Sequence, residues 1–232
     1  DPANRSALTM VCDTLARKGR AQDALAEART AADGAPPATR IVNRLVLGAA
    51  LNSFGGDPAA GLAIARAVRT ASEARPDEVT ESRVLEAECL AALGRNDEAT
   101  KSIAEASAGW VDGNPVTVVD RSFERRVRFS RGLVASAAAR HADAARDFQR
   151  CFDLDPRDLS CLINLSWSLA QPGGDAMAAF AHAKRLTSLD PGCPSWWDTR
   201  AVAASAAGDL DDAEQSWRTA IDRFRAATPP RQ

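Results

Sequence analysis

The 232-residue sequence contains no tyrosine, and aromatic residues make up only 5% of it. Aromatic and β-branched side chains favour strands, whereas alanine, which is abundant in this chain, favours helices. The shortage of sheet-forming residues therefore predicts an all-α protein. The sequence also lacks an excess of either charge, because 29 basic and 31 acidic side chains leave a net charge of -2. No overall field draws the chain to nucleic acid, and we expect no nucleic-acid partner.

Long apolar runs are absent as well. No eighteen consecutive residues are apolar, so no membrane insertion is expected. The five cysteines are odd in number and widely spaced, with no CxxC motif and no Cys/His cluster. Disulfides and a zinc site are therefore not expected. The sequence leaves the compartment undetermined, but cytoplasmic is favoured because neither a signal peptide nor a disulfide pattern is visible. Only three of the basic residues are lysines, a bias typical of GC-rich bacterial genomes.

The residues that enzymes need are also scarce. The two histidines, His141 and His182, lie about forty residues apart with no nucleophile or carboxylate pattern around them. The sequence has no nucleotide-binding glycine motif, no nucleophile elbow and no HExxH. We therefore predict no catalytic residue, no metal and no cofactor, and we expect that the protein is not an enzyme.

What the sequence does contain is repetition. Six similar turn sequences occur, such as GRAQDAL and GDLDDAEQ, and each leads into a helix that opens with a small residue. The intervals between these residues are 36, 39, 45, 35 and 34; the residues are Ala24, Ala60, Ala99, Ala144, Ala179 and Ala213. Mostly apolar or small residues follow four and seven positions later, which is the spacing of one helical face. The period of about 34 residues predicts an array of helical hairpins.

This pattern resembles the tetratricopeptide repeat (TPR), whose signature is W-x2-L-G-x2-Y followed by G, A-x3-F-x2-A and P. The copy from Trp197 to Ala220 matches it best, although no copy is complete. The signature positions filled there are Trp197, Gly208, Ala213, Trp217 and Ala220. The resemblance implies a right-handed solenoid of about six antiparallel helix pairs.

The turn signals divide a domain of residues 1–228 into six repeats. The repeats are 4–36, 38–76, 77–114, 115–156, 157–191 and 192–228. The helix pairs predicted within them are 4–18 with 21–33, 38–54 with 57–74, 77–93 with 96–108, 116–139 with 142–153, 158–171 with 174–187, and 194–207 with 210–227. The irregular segment 109–114 is the expected place for the array to bend or divide, and Asn114-Pro115 is expected to cap the long helix that follows.

The resemblance also implies that the first helix of each repeat lines a concave groove. Transferring that pattern to this sequence indicates eight candidate contact residues for a bound peptide: Asn52, Arg126, Phe129, Ser130, Ile163, Asn164, Trp167 and Asp198. Trp167 stands out because a large aromatic side chain in a groove is a common anchor. Filling of the groove interior by the same ring is the alternative interpretation.

Charge is locally segregated between two first helices. The helix over 77–93 is acidic and the helix over 116–139 is rich in arginine. One interpretation is that these neighbouring helices neutralise each other through exposed pairs. The other is that the arginines form a binding site for a carboxylate or phosphorylated segment.

These features together predict a non-catalytic scaffold that binds a peptide or helix of another protein in its groove. The alternative is a helical regulatory or structural domain of a larger enzyme or sensor, which packs on a further domain of its own chain. Self-association through an exposed end of the array is a third possibility.

Overall fold

The computed structural model describes residues 2–108, 110–111, 114–115 and 121–227. Within these residues the chain forms twelve helices and one two-residue strand pair. In chain order the elements are α1 (Pro2–Arg17), α2 (Ala21–Asp33), α3 (Pro37–Ser53), α4 (Pro58–Thr70), α5 (Pro76–Ala92), α6 (Asn96–Ala106), β1 (Trp110–Val111), β2 (Asn114–Pro115), α7 (Arg121–Ala137), α8 (His141–Leu154), α9 (Leu159–Leu169), α10 (Ala176–Leu189), α11 (Pro194–Ala206) and α12 (Leu210–Ala227). The all-α prediction is confirmed.

The chain divides into two compact lobes, Asp1–Val118 and Val119–Gln232. The N-terminal lobe contains α1 to α6, and the C-terminal lobe contains α7 to α12. Within each lobe every helix packs on the next one in the sequence. Because the connections are short, consecutive helices are antiparallel, and odd-numbered helices are the first members of the six pairs. Each lobe therefore consists of three stacked helical hairpins.

One predicted boundary is wrong. Asn114 and Pro115 do not cap a helix, because they form β2 and pair antiparallel with β1, with Val111 opposite Asn114. The residues between the strands are Asp-Gly, a dipeptide typical of two-residue hairpin loops. The predicted helix start at 116 lies outside the described residues, and α7 is described from Arg121.

Small residues bring the helices close together. Gly132 of α7 lies so near α8 that a Cβ atom in its place would come within 2.6 Å of the Phe148 ring. Phe148 is fully buried and packs with Leu162 and Leu165 of α9. A side chain at position 132 would therefore push apart helices that depend on close packing.

The turn between the first and second helix contains a residue with a left-handed backbone in all six pairs. Gly19, Gly94 and Gly208 lie two residues before the second helix with φ between 73° and 83°. Ala139 occupies the same place in the α7–α8 turn with φ of 56°. The left-handed conformation costs an alanine about 1 kcal/mol, whereas glycine adopts it without this penalty.

We expect the Ala139→Gly substitution to stabilise the protein by about 0.5 kcal/mol, since the relief of backbone strain exceeds the extra entropy of an unfolded glycine. The reverse change at the matched position, Gly94→Ala, should destabilise it by about 1 kcal/mol. Urea unfolding followed by circular dichroism measures both. Destabilisation by Ala139→Gly would contradict this account of the turn.

A partly buried ion pair joins the last two helices. The Arg200 side chain of α11 donates hydrogen bonds to both carboxylate oxygens of Asp212 at 2.8 and 2.5 Å, and the Ser216 hydroxyl donates to Oδ1 at 3.0 Å. These hydrogen bonds, led by that from Arg200, hold the pKa of Asp212 below its ordinary value. Asp212 is therefore stabilising as a carboxylate, above its unfolded pKa of about 3.9, and this contribution is lost as the pH falls through its lower folded pKa.

We expect Asp212→Asn to destabilise the protein by about 1 kcal/mol at pH 7, because it removes a charge-assisted pair. The difference in unfolding free energy between the two proteins should shrink as the pH is lowered below about 4. Urea unfolding at pH 7, 5, 4 and 3 measures it. A difference that stays constant down to pH 3 would show that the carboxylate charge is not the stabilising group.

Candidate functional site

Trp167 is the most exposed of the large predicted contact residues. It lies on α9, which begins after Asp158, whose carboxylate accepts a hydrogen bond from the Ser160 amide at 3.0 Å. Leu162 and Leu165 of the same helix are buried in the core, so Trp167 projects from a different face and is 38% exposed. The helix therefore presents the indole ring to solvent rather than packing it in the core.

The exposed ring is held from one side by histidine. The rings of His141 and Trp167 meet edge to face, with centroids 5.4 Å apart and an interplanar angle of 73°. His141 is the first residue of α8 and is half-buried. Its Nδ1 is buried without a hydrogen-bond partner among the described residues. The contact fixes one edge of Trp167 and leaves part of the ring accessible.

Five arginines lie on α7, and four of them have partners in the same lobe. Those four are Arg121, which donates to the Leu154 carbonyl at 2.8 Å, Arg125, which pairs with Asp158, Arg128, which pairs with Asp147 and Glu124, and Arg131, which pairs with Asp147. Arg126 is half-buried and pairs with no carboxylate in the part of the chain that the structure describes. Arg126 is therefore the one arginine of α7 whose side chain is not paired with another described residue.

Two of the paired arginines, Arg128 and Arg131, belong to a charge cluster between α7 and α8. Glu124, Arg128 and Asp147 are all buried, and the Arg128 guanidinium lies 3.1 Å from an Asp147 oxygen. Burial raises the pKa of Asp147 and lowers the pKa of Arg131, which shows how strongly the site opposes charge. Removing one partner would leave a buried charge unpaired, so the cluster ties these helices together.

The acidic helix α5 finds partners in its own lobe. Glu86 is buried and accepts hydrogen bonds from Arg66 at 2.9 Å and Arg69 at 2.5 Å, both on α4. Arg83 pairs with Glu105 of α6 at 3.1 Å. The interpretation that α5 and α7 neutralise each other is wrong for these residues and for the paired arginines of α7. Their partners lie on adjacent helices of the same lobe, because the neighbouring helix is closer.

The other predicted contact residues differ in their accessibility. Phe129 packs edge to face on Phe148 at 5.7 Å, and Ile163 packs on the same core cluster, so both are half-buried. Ser130 is fully buried and donates to the Arg126 carbonyl at 3.1 Å, so it does not reach the surface.

The remaining three residues are spread over three helices. The Asn164 amide donates to the Ser160 carbonyl at 2.8 Å, and the residue is half-buried on α9. Asp198 is exposed on α11. Asn52 lies on α3 in the other lobe, where its Oδ1 is buried and accepts no hydrogen bond from the described residues. Five of the predicted residues thus lie on two first helices of the C-terminal lobe, Arg126 and Phe129 on α7 and Ile163, Asn164 and Trp167 on α9, and we call these five the α7/α9 surface.

The expectation that the cysteines stay unpaired is wrong. Cys151 in the last turn of α8 and Cys161 in the first turn of α9 form a disulfide, with Cα atoms 6.0 Å apart. Both are buried, and the short α8–α9 connection brings them together. Spacing in the sequence did not indicate this pairing, because it depends on how the two helices pack. The preference for a cytoplasmic location therefore loses the part of its basis that came from absent disulfides.

The disulfide also occupies a set of atoms that could otherwise hold a metal. The two sulfurs and a carboxylate oxygen of Asp158 lie within 4.8 Å of one another. The sulfurs are bonded to each other, and the carboxylate is engaged by Arg125 and by the Ser160 amide. In this state the three residues do not fit a metal ion, because no thiolate is available to bind it.

Several solved structures are similar to this chain over most of its length. A structure titled BtubC (BKLC) from P. vanneervenii has a TM-score of 0.59 at 17% identity, covering 92% of this chain and 93% of that one. A structure of MamA with the strain label MSR-1 has a TM-score of 0.57 at 15% identity, covering 82% of this chain and 99% of that one. The fold is a TPR-like helical repeat.

At these identities the similarity shows the fold alone. A second MamA structure has a TM-score of 0.52 at 16% identity and covers 78% of this chain and 96% of that one. No protein-family model matches the sequence, and a search of curated proteins found no match. Among the described helices, none is long and apolar enough to cross a membrane.

Two features of the C-terminal lobe were missed by reasoning from the sequence. The charge cluster fills positions of α7 where the repeat signature has large apolar residues, and this departure was visible in the sequence. The disulfide had no comparable signal, because its cysteines belong to different repeats.

We expect three free thiols in the unreduced, denatured protein, on Cys12, Cys89 and Cys193, and five after reduction. Titration with a thiol reagent gives the count, and mass spectrometry of an unreduced digest should identify the peptide that links Cys151 to Cys161. In the folded protein Cys89 should react most slowly, because burial raises its pKa to about 12. The Cys151→Ser, Cys161→Ser double variant is the control and should give three thiols with or without reductant. Five thiols in the unreduced protein would contradict the pairing.

Proposed function

We propose that this chain is a non-catalytic TPR-type interaction domain that binds a peptide or helix of another protein on the α7/α9 surface. The exposed Trp167 ring carries the proposal. The fold buries Leu162 and Leu165 of α9 on the core face yet leaves this indole partly open to solvent. Large aromatic side chains that are rigidly held but accessible are frequent anchors in protein interfaces.

Arg126 supports the same surface and indicates the chemistry of the partner. The other α7 arginines are used within the lobe, whereas Arg126 has no partner among the described residues. A guanidinium group binds a carboxylate through two hydrogen bonds, so the expected ligand segment carries an acidic residue. It also carries an apolar or aromatic side chain for Trp167.

Phe129 of α7 and Ile163 of α9 supply the apolar part of the proposed surface. Both are partly buried and pack against the core cluster that contains Phe148. The disulfide and the Arg125–Asp158 pair hold α7, α8 and the start of α9 in place, which limits the ordering cost of binding. The proposed surface is therefore preorganised. Asp198 on α11 and Asn164 complete its polar part, and Asn52 of the other lobe is proposed as a separate contact.

We expect a random peptide library displayed on phage to yield binders that contain an acidic residue and an aromatic or large aliphatic residue. The Trp167→Ala variant serves as the counter-selection target. Affinity of a selected, labelled peptide is then measured by fluorescence anisotropy. Trp167→Ala should weaken binding by about 30-fold, the cost of losing a hot-spot side chain. Arg126→Gln should weaken it by about 10-fold, with a smaller loss at high salt.

Two variants control for surface changes elsewhere in the lobe. Met177→Ala removes an exposed apolar side chain from α10, and Arg146→Gln removes an exposed arginine from α8. Both should bind the peptide as the parent does. Equal affinity for the parent and for Trp167→Ala would overturn the proposed surface.

Affinity capture from a lysate of the source organism separates a scaffold from a domain that packs on its own chain. A partner that the parent and Met177→Ala retain, but Trp167→Ala loses, would support the scaffold. Capture of nothing by any of the three would favour the domain of a larger enzyme or sensor.

A further inference from the structure

Helix α12, the last one among the described residues, carries an exposed apolar stripe. Leu210, Trp217, Ile221 and Phe224 follow one another at intervals of seven, four and three residues, which places them on one face of α12. Trp217 is 43% exposed, Ile221 48% and Phe224 51%. Trp217 occupies the aromatic position of the repeat signature. The residue at this position is buried in other repeats, for example Phe148 in α8, whereas Trp217 is exposed.

Two positions of the stripe are buried in other second helices. The counterpart of Trp217 is Ala183 in α10 and Phe148 in α8, and both are fully buried. The counterpart of Ile221 is Thr187 in α10 and Val68 in α4, and these residues are also buried. Trp217 and Ile221 therefore lie exposed at positions that these helices bury.

The internal contacts show what covers this face. Thr187 of α10 accepts a hydrogen bond from Arg200 of α11 at 3.2 Å, and Ala183 packs in a core cluster with Ala203 of α11. In the other lobe, Arg66 and Arg69 of α4 bind Glu86 of α5. In both places the covering element is the first helix of the following repeat. The partner that fits the α12 stripe is therefore a helix of that type.

The first helix of this chain presents the matching face. Val11, Glu86 and Arg200 occupy the same place in α1, α5 and α11, thirteen residues before the signature alanine of the second helix. Glu86 and Arg200 bind the preceding second helix from this place. Val11 is instead 46% exposed, and the adjacent Met10 is 68% exposed.

The residues equivalent to Met10 in other first helices confirm that this face is normally covered. They are Val46 in α3, Leu85 in α5 and Thr199 in α11, and all three are buried. The exposed faces of α1 and α12 are thus the two halves of the contact that joins consecutive repeats. Both faces expose apolar side chains at positions whose equivalents in the internal helices are buried.

We propose that α12 of one copy packs on α1 of a second copy, so that the protein associates head to tail. The contact repeats the first-helix-on-second-helix packing found inside each lobe. It is heterologous, since two different faces meet, and each bound copy leaves one free face for a further copy. It uses none of the residues of the α7/α9 surface, and therefore does not depend on the function proposed above.

Sedimentation velocity tests the association. The weight-average mass of the parent should rise with concentration from 24.6 kDa to values beyond that of a dimer. The Met10→Glu, Val11→Glu variant has a charged α1 face, and the Ile221→Glu, Phe224→Glu variant has a charged α12 face. Each should remain a monomer on its own, because one half of every contact is lost.

A mixture of the two variants distinguishes this contact from a symmetric one. Each variant keeps one intact face, so the mixture should form dimers and nothing larger. Met177→Glu, a matched charge on an equally exposed methionine of α10, should associate as the parent does. Circular dichroism confirms that each variant is folded, and the single variants Met10→Glu and Ile221→Glu replace the double variants if either is not.

Three outcomes would overturn the proposal. A parent that stays monomeric at every concentration would mean that another helix covers the stripe. Association of the α1 variant at the level of the parent would indicate a symmetric α12–α12 contact. A mixture of folded variants that stays monomeric would show that the two faces do not bind each other.

Discussion

A helical hairpin of this length cannot bury the apolar face of its second helix by itself, and the rest of the structure depends on this constraint. The face must be covered by the first helix of the next hairpin, as α9 covers Phe148 and α11 covers Ala183. Stability in such arrays is the sum of the hairpins and of the contacts between neighbours. Among the described residues nothing covers the apolar stripe of α12, and an exposed apolar face of this kind is the basis of the head-to-tail proposal.

The covering contact is made with different chemistry in different repeats. Small apolar residues meet at α10 and α11, whereas a buried carboxylate, Glu86, meets two arginines at α4 and α5. Within the α7–α8 hairpin, buried charges likewise take the place of apolar signature residues. Charged contacts of this kind add little net stability, but breaking one partner is costly. These pairs therefore favour one particular packing partner for each helix. Because most of the arginines are paired in this way, few remain available to bind a ligand.

The proposed binding surface uses side chains that this packing leaves exposed or without a partner. Trp167 is supported by His141 without being buried, and Arg126 has no carboxylate among the described residues although the other arginines of α7 have partners. The disulfide joins the end of α8 to the start of α9, the helix that carries Trp167. A rigid support with a few unused side chains is the arrangement that favours recognition at low entropic cost.

The sequence by itself determined the class, the number of hairpins and most helix boundaries to within two residues, because helix propensity, glycine turns and the 34-residue period are local signals. It also indicated Trp167 and Arg126 as surface candidates by their register. It did not determine that Ser130 is buried, that Glu86 binds arginines of α4, or that Cys151 pairs with Cys161. Those facts depend on which helices come within a few ångströms of each other, and distance between residues far apart in the chain is set only by tertiary packing. The hairpin at β1 and β2 lies between these cases, since its Asp-Gly signal is local but competed with an equally local helix cap.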